Sequence, residues 1–248
     1  MAQSDFTAPT GVLTNSSVLR VETTAFTPPN GGGLFLQAYK SIAVATGVMA
    51  LFYNGSGFAP TPATKGGIAS MALNRATSGG AGGWAPFVFV NLGGTNVSNE
   101  AYILGIGDAT PGHLILRKGA LSGGLPDVDP GAASPQGVIW RSDEVIALNE
   151  WAHVRLMVAG NANGDAVISV WRSALATHAL SSPTWVAVAG QRIAQGGGTV
   201  AATGITDDGA GILTGSPAFT SGYMGYGVYV SNTARVALVD GFACEAQP

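Results

Sequence analysis

Short alternating runs of apolar and polar residues, separated by clusters of Gly, Pro, Asn and Asp, recur along the chain, and no segment sustains a 3.6-residue period with helix caps. The pattern is clearest in "EWAHVRLMVAGNANGDAVISVW", residues 150–171. Ala152, Val154, Leu156 and Val158 share one face of an extended segment, and His153, Arg155 and Met157 share the other. Successive side chains of a strand point to opposite faces, so the first set is predicted to be core and the second outward. The turn "GNANGD" holds residues that tolerate positive φ. The return strand then sets Ala166, Ile168 and Val170 against Val167, Ser169 and Trp171. A β-hairpin is predicted, and Trp171 belongs to its second face, which would be buried in a sheet partly covered on both sides and displayed by a concave one.

The same reading predicts strands near 18–26, 33–39, 43–53, 67–75, 86–91, 101–106, 113–118, 137–141, 151–159, 165–173, 184–189, 222–230 and 235–245. No helical pattern alternates with them, as a βαβ protein would require. The expected fold is all-β, a single large antiparallel β-sandwich over residues 1–248, with 1–17 as an extended N-terminal arm. Gly and Pro punctuate the whole chain, and no linker stands out. Two segments lack a strand pattern, 119–136 and 192–211. Both are expected to be long loops, and such loops are commonly contact surfaces.

Composition sharpens this picture. Only 10% of the residues are charged and 46% are hydrophobic, whereas about a quarter are charged in ordinary soluble domains. No charge occurs between Lys40 and Lys65, Arg75 and Glu100, or Arg172 and Arg192. The longest apolar run, residues 42–53, falls well short of the roughly 20 residues of a spanning helix, so no membrane partner is expected. The opening "MAQSDFTAPTG" has neither a basic nor an apolar leader segment, which predicts cytoplasmic synthesis without a signal peptide. Accordingly the N-x-S matches at Asn15, Asn54 and Asn96 read as polar turns. The lone Cys244 excludes an internal disulfide framework. A net charge of −3 with dispersed Lys and Arg offers no track for phosphates, so no nucleic-acid partner is expected.

Three segments resemble the concanavalin A-like lectin/glucanase superfamily, the laminin G-like jelly roll. They are "AYILGIGDATPGHLILRKG" (101–119), the W-x-H-V-x-L-x-V hairpin at 151–158 with its return strand, and "SGYMGYGVYVSNTARVALVDGFACEA" (221–246). The resemblance implies a curved two-sheet sandwich. Gly222, Gly225 and Gly227 fit close packing or bulges in such sheets, and Asp240, on the parity of Val236, Leu238 and Phe242, would need a hydrogen-bond partner if buried.

Catalytic patterns are sparse. The E-x-D-x-x-E strand of the superfamily's glucanases, whose paired carboxylates supply acid and nucleophile, does not occur. Asp143 and Glu144 are adjacent and point to opposite faces, with Glu150 following, and all three read as a solvated turn before a strand. There is no G-x-S-x-G elbow. His113, His153 and His178 lack zinc-ligand spacing, and the Gly-rich 78–84 lacks the Lys of a phosphate loop. Asp127 with Asp129, or Asp207 with Asp208, could give oxygens to calcium but fall short of a dense cation loop. No enzyme activity, cofactor or metal is therefore expected.

The leading functional expectation is a structural virion protein, a bacteriophage capsid-decoration or tail-associated subunit that covers its weakly charged surface with other copies of itself and other virion proteins. The alternative is a lectin-like carbohydrate-binding module whose outward tryptophans stack on sugars. A glycan hydrolase or lyase using Glu144 or Glu150 ranks third. The residues offered to a partner or glycan are His153, Arg155, Trp171, Trp140 and Trp185.

Overall fold

A computed structural model describes residues 12–13, 18–22, 35–40, 47–53, 66–75, 85–93, 98–109, 111–130, 137–173, 183–193, 199–209, 217–230 and 235–246. Through residue 53, and at 199, 229–230, 235–238, 240–243 and 246, the description is of the backbone alone. Seventeen strands are present among these residues. The first nine are β1 Val12–Leu13, β2 Val18–Glu22, β3 Phe35–Lys40, β4 Gly47–Tyr53, β5 Gly66–Arg75, β6 Ala85–Leu92, β7 Glu100–Ile106, β8 Gly112–Ala120 and β9 Val138–Ile146. They are followed by β10 Trp151–Gly160, β11 Ala166–Ser173, β12 Trp185–Ala187, β13 Gly190–Ile193, β14 Thr199–Ala202, β15 Gly204–Asp207, β16 Tyr223–Val230 and β17 Arg235–Ala246.

Nine strands form one sheet in the order β1-β4-β16-β6-β7-β8-β9-β13-β14, and the other runs β12-β11-β10-β5-β17-β3-β2, with β15 also paired to β11. Every strand pair is antiparallel, and the two sheets make the expected all-β sandwich. Alternation explains the packing. From β10, Ala152, Val154, Leu156 and Val158 enter the core between the sheets, where they meet Met71 and Leu73 of β5, Val88 and Val90 of β6 and Leu104 of β7. The predicted β10–β11 hairpin forms, with Arg155 level with Trp171. Its turn is closed by Asn161, whose Oδ1 accepts from the backbone N–H of Asn163 at 2.9 Å and of Asp165 at 3.0 Å, while Gly164 takes φ +88°.

One sequence expectation is corrected here, and two others gain structural detail. The segment 192–211 is not one long loop: it carries the end of β13 and all of β14 and β15. These strands are four residues each, and their stability comes from pairing at sheet edges, a tertiary effect that local composition does not display. The segment 119–136 lacks strand character over most of its described length, as expected. A single 3-10 turn at Leu121–Gly123 puts Leu121 and then Leu125 onto the outer face of the nine-stranded sheet, where Phe87, Phe89, Ile103 and Ile115 form a second buried cluster. Within the expected arm 1–17, Val12 and Leu13 form β1, which pairs with β4.

Strand β9 runs to Ile146 instead of ending near 141. Its pairing with β8 is irregular: Leu116 faces Trp140 while Arg117 faces Val138, leaving Ile139 as an inserted residue. Such a bulge lets two consecutive side chains turn the same way. Ile139 and Trp140 both enter the core, and Trp140, expected outward, is fully buried. The Trp140 indole N–H donates to the Ala202 carbonyl at 3.1 Å, tying β9 to β14. Ser142 fills a second irregularity of the pair by accepting the Leu114 N–H at 2.9 Å and donating to the Glu144 carbonyl at 2.6 Å. Gly222 meets the expectation of close packing, since a Cβ there would lie 2.5 Å from backbone atoms of Asn91 and Leu92, at a φ of +151°. The side chain of Asp240 lies outside the described residues.

Candidate functional site

The face of the second sheet turned away from the core gathers four of the five expected contact residues. Antiparallel pairing sets Arg155 level with Trp171 and Trp171 level with Ala187, and the next row holds Ser173 with Trp185. His153 belongs to that second row, one step beyond the pair Val154 and Arg172. Directly opposed and diagonal side chains on one sheet face come within reach of each other. The Arg155 guanidinium carbon lies 5.7 Å from the centroid of Trp171 and 5.6 Å from that of Trp185, so one cation sits over two indole rings. The His153 ring stands 4.6 Å from Trp185, tilted by 60°. His153 is outward by parity but buried, whereas Arg155, Trp171 and Trp185 are partly exposed. Trp140 is not part of this group.

Strand β11 carries the face toward a groove of about 930 Å³. Val167, Ser169 and Trp171 share one side of this strand. Ser169 lines the groove, together with Asp165, Arg192, Thr203, Thr206 and Asp208 among its polar residues. The groove exists because β15 extends the second sheet while the β13–β14 hairpin extends the first, so two sheet edges face each other. Sequence reasoning missed it when it treated this segment as a loop, and the alternation in "TVAA" and "GITD" is too short to announce strands.

Among the described residues, Lys118, Arg141 and Arg172 are paired with carboxylates. Arg172 holds Glu144 at 3.1 Å and also Glu150, so the carboxylates expected in a solvated turn are instead gathered at a guanidinium. Asp143 and Glu144 lie within β9 itself. Arg141 binds Asp129 and lies 3.0 Å from the buried Asp127, which also holds the His113 imidazole at 2.9 Å and accepts the His113 backbone N–H at 2.8 Å. Thus Asp127 and Asp129, considered for calcium, are engaged by side chains of the chain itself. Among the described residues no three His, Cys, Asp or Glu are placed to hold a metal. Arg155 makes no ion pair among the described residues; its neighbours are aromatic.

Inside the sandwich, Lys118 of β8 and Asp207 of β15 form an ion pair at 2.6 Å with both side chains fully buried. Asp207 also accepts the Tyr102 hydroxyl proton at 2.6 Å through the same Oδ2, while its Oδ1 accepts the Gly209 N–H at 2.9 Å. Burial, then the hydrogen bond to Asp207 and its charge, push the Tyr102 phenol far above its ordinary value, so the hydroxyl stays a donor. Sequence analysis singled out Asp207 only as a calcium ligand and did not foresee this group.

Neither a protein-family model nor a curated protein matches the chain. Solved structures do. An alginate lyase of the marine Aplysia kurodai aligns with a TM-score of 0.50 at 12% identity, covering 92% of this chain and 87% of that one. The likeness is one of fold. A carbohydrate esterase from the Shiga toxin-encoding bacteriophage phi24B aligns with a TM-score of 0.47 at 14% identity over 96% and 91% of the two chains. The cellulose induced protein Cip1 gives 0.47 at 11% over 96% and 88%. The expectation that this chain is no enzyme is corrected by the fold shared with the lyase. It rested on the missing glucanase carboxylates and Ser elbow, and a fold shared with a lyase removes the force of that exclusion, because a fold can carry cleavage chemistry other than that of a carboxylate pair.

Proposed function

We propose that the β10–β11–β12 face and its adjoining groove bind a glycan that carries acidic groups. The observation that carries this reading is the Arg155 guanidinium, held over Trp171 and Trp185 with no carboxylate partner among the described residues. Indole rings present flat apolar surface to the C–H faces of sugars, and a guanidinium fork matches a carboxylate or sulfate with two parallel hydrogen bonds. Keeping Arg155 on aromatic neighbours preserves its charge for the ligand. The groove has the size of an ordinary small-molecule site and offers hydroxyls and carboxylates to sugar hydroxyls. A fold shared with an alginate lyase supports the same substrate class.

Affinity electrophoresis in gels containing alginate, hyaluronan or neutral dextran tests this reading. Retardation by the acidic polymers and none by dextran is the expected result. Trp171→Ala or Trp185→Ala should weaken the effect by about tenfold or more, equivalent to about 1.4 kcal/mol. Arg155→Gln should lower the discrimination between acidic and neutral polymers. Equal migration of every variant in every gel would remove the proposal. The same incubations, read by size-exclusion chromatography of the polymers, report cleavage.

A second reading makes this chain a virion subunit. Its support is the surface: Val145, Leu148, Val167, Val186 and Val200 are exposed in a chain of only 10% charged residues, which suits burial against other subunits. Light scattering across a range of protein concentrations tests it, and a strict monomer at every concentration counts against it.

A further inference from the structure

We propose that Lys118 and Asp207 join covalently, forming an amide bond that ties the nine-stranded sheet to β15. The ion pair is 2.6 Å long, its side chains have no exposure, and the Phe219 ring lies 4.8 Å from the Lys118 Nζ. Holding a charged pair away from water is costly, and its desolvation is only partly offset by mutual attraction. Proton transfer within the pair removes both charges and leaves an amine beside a carboxylic acid. That neutral state is also the reactive one. Two groups fixed in contact react as if at very high concentration.

The surroundings supply the remaining parts. One ammonium proton passes to Asp207 Oδ2, and the Lys118 nitrogen attacks Cγ to form the C–N bond. Negative charge then gathers on Oδ1, where the Gly209 N–H already donates at 2.9 Å. Tyr102, donating to Oδ2 at 2.6 Å, relays a second nitrogen proton to that oxygen. The Cγ–Oδ2 bond breaks and one water leaves. An ammonium and a carboxylate have become one amide and one water, with no oxidant or outside reactant required. Tyr102 is itself held by the Phe219 N–H, which donates to its hydroxyl oxygen at 3.0 Å, so its direction is set before the reaction. The product spans residues 118 and 207 and would act as a permanent clamp across the sandwich.

Intact-mass spectrometry of the denatured full-length chain, followed by peptide mapping, decides the matter. The expected mass is one water below that of the sequence, with the segments containing Lys118 and Asp207 recovered as one branched peptide that trypsin cannot cut after Lys118. Lys118→Arg and Asp207→Ala should restore the full mass. Tyr102→Phe should slow the reaction by about a hundredfold or more, seen as a full-mass fraction in fresh protein that declines on standing. A wild-type chain at full mass with trypsin cutting after Lys118 overturns the proposal. So does a water loss confined to the Asp208–Gly209 pair with Lys118 unmodified, since an Asp-Gly sequence can lose water by cyclising. Because the decisive reading is on wild-type protein, a variant that fails to fold does not blur the result.

Discussion

Single residues in this protein are assigned to core or surface by strand parity, and the exceptions show where parity fails. His153, Arg155 and Trp171 are outward as alternation requires, yet His153 is buried beside Trp185. Trp140 breaks the rule altogether because the inserted Ile139 resets the phase of β9. Trp140→Ala should cost about 3–5 kcal/mol in urea unfolding, the range for emptying a large aromatic site in a packed core. Ionisation offers a second residue-scale test. Burial pushes the Tyr226 phenol from 10.0 to about 12 and the Cys244 thiol from 9.0 to about 12. Below the unfolded values both states hold these protons, and the full stability is present. As pH rises toward the folded values the unfolded chain loses protons that the folded chain keeps, so stability falls. Urea unfolding at about pH 8 and about pH 10.5 should show this loss, and Tyr226→Phe should remove roughly 0.8 kcal/mol of it. The same burial should keep Cys244 unreactive toward thiol reagents until the chain unfolds.

At the scale of elements, the strands with long alternating patterns were legible and the short ones were not. β5, β6, β7, β8, β10, β11, β16 and β17 lie within a residue or two of the runs that predict them, because each carries a sustained run of apolar residues bounded by turn signals. The four-residue strands β13, β14 and β15 escaped, since so few residues cannot establish a period against a background of Gly and Ala. Their absence from the sequence reading hid the groove as well. The segment following β8 was correctly seen to lack strand character, but the burial of Leu121 and Leu125 depends on a hydrophobic outer face that the neighbouring strands create. Gly222 exemplifies an element boundary that tolerates one residue type. Gly222→Ala should lower stability by more than about 1 kcal/mol in a thermal melt, through its backbone clash at positive φ.

For the whole molecule, antiparallel pairing between distant strands dominates. β5 pairs with both β10 and β17, and β16 with β4 and β6, so the central ladders join residues far apart in sequence. Chains of this topology fold slowly, in the range of about milliseconds to seconds, which stopped-flow refolding monitored by tryptophan fluorescence should show. A fold shared at 12% identity with an alginate lyase shows how little of the sequence such an architecture constrains.

By itself the sequence determined the class of fold, the inward face of each long strand and the outward placement of Arg155 and Trp171, because these follow from a two-residue period that every strand must obey. Only the tertiary structure decided that Trp185 joins them, that Trp140 does not, and that Lys118 meets Asp207 across the sandwich. Those outcomes depend on register, on a single inserted residue and on which edges face one another. Such choices are made by contacts between segments distant in the chain, and local pattern carries no record of them.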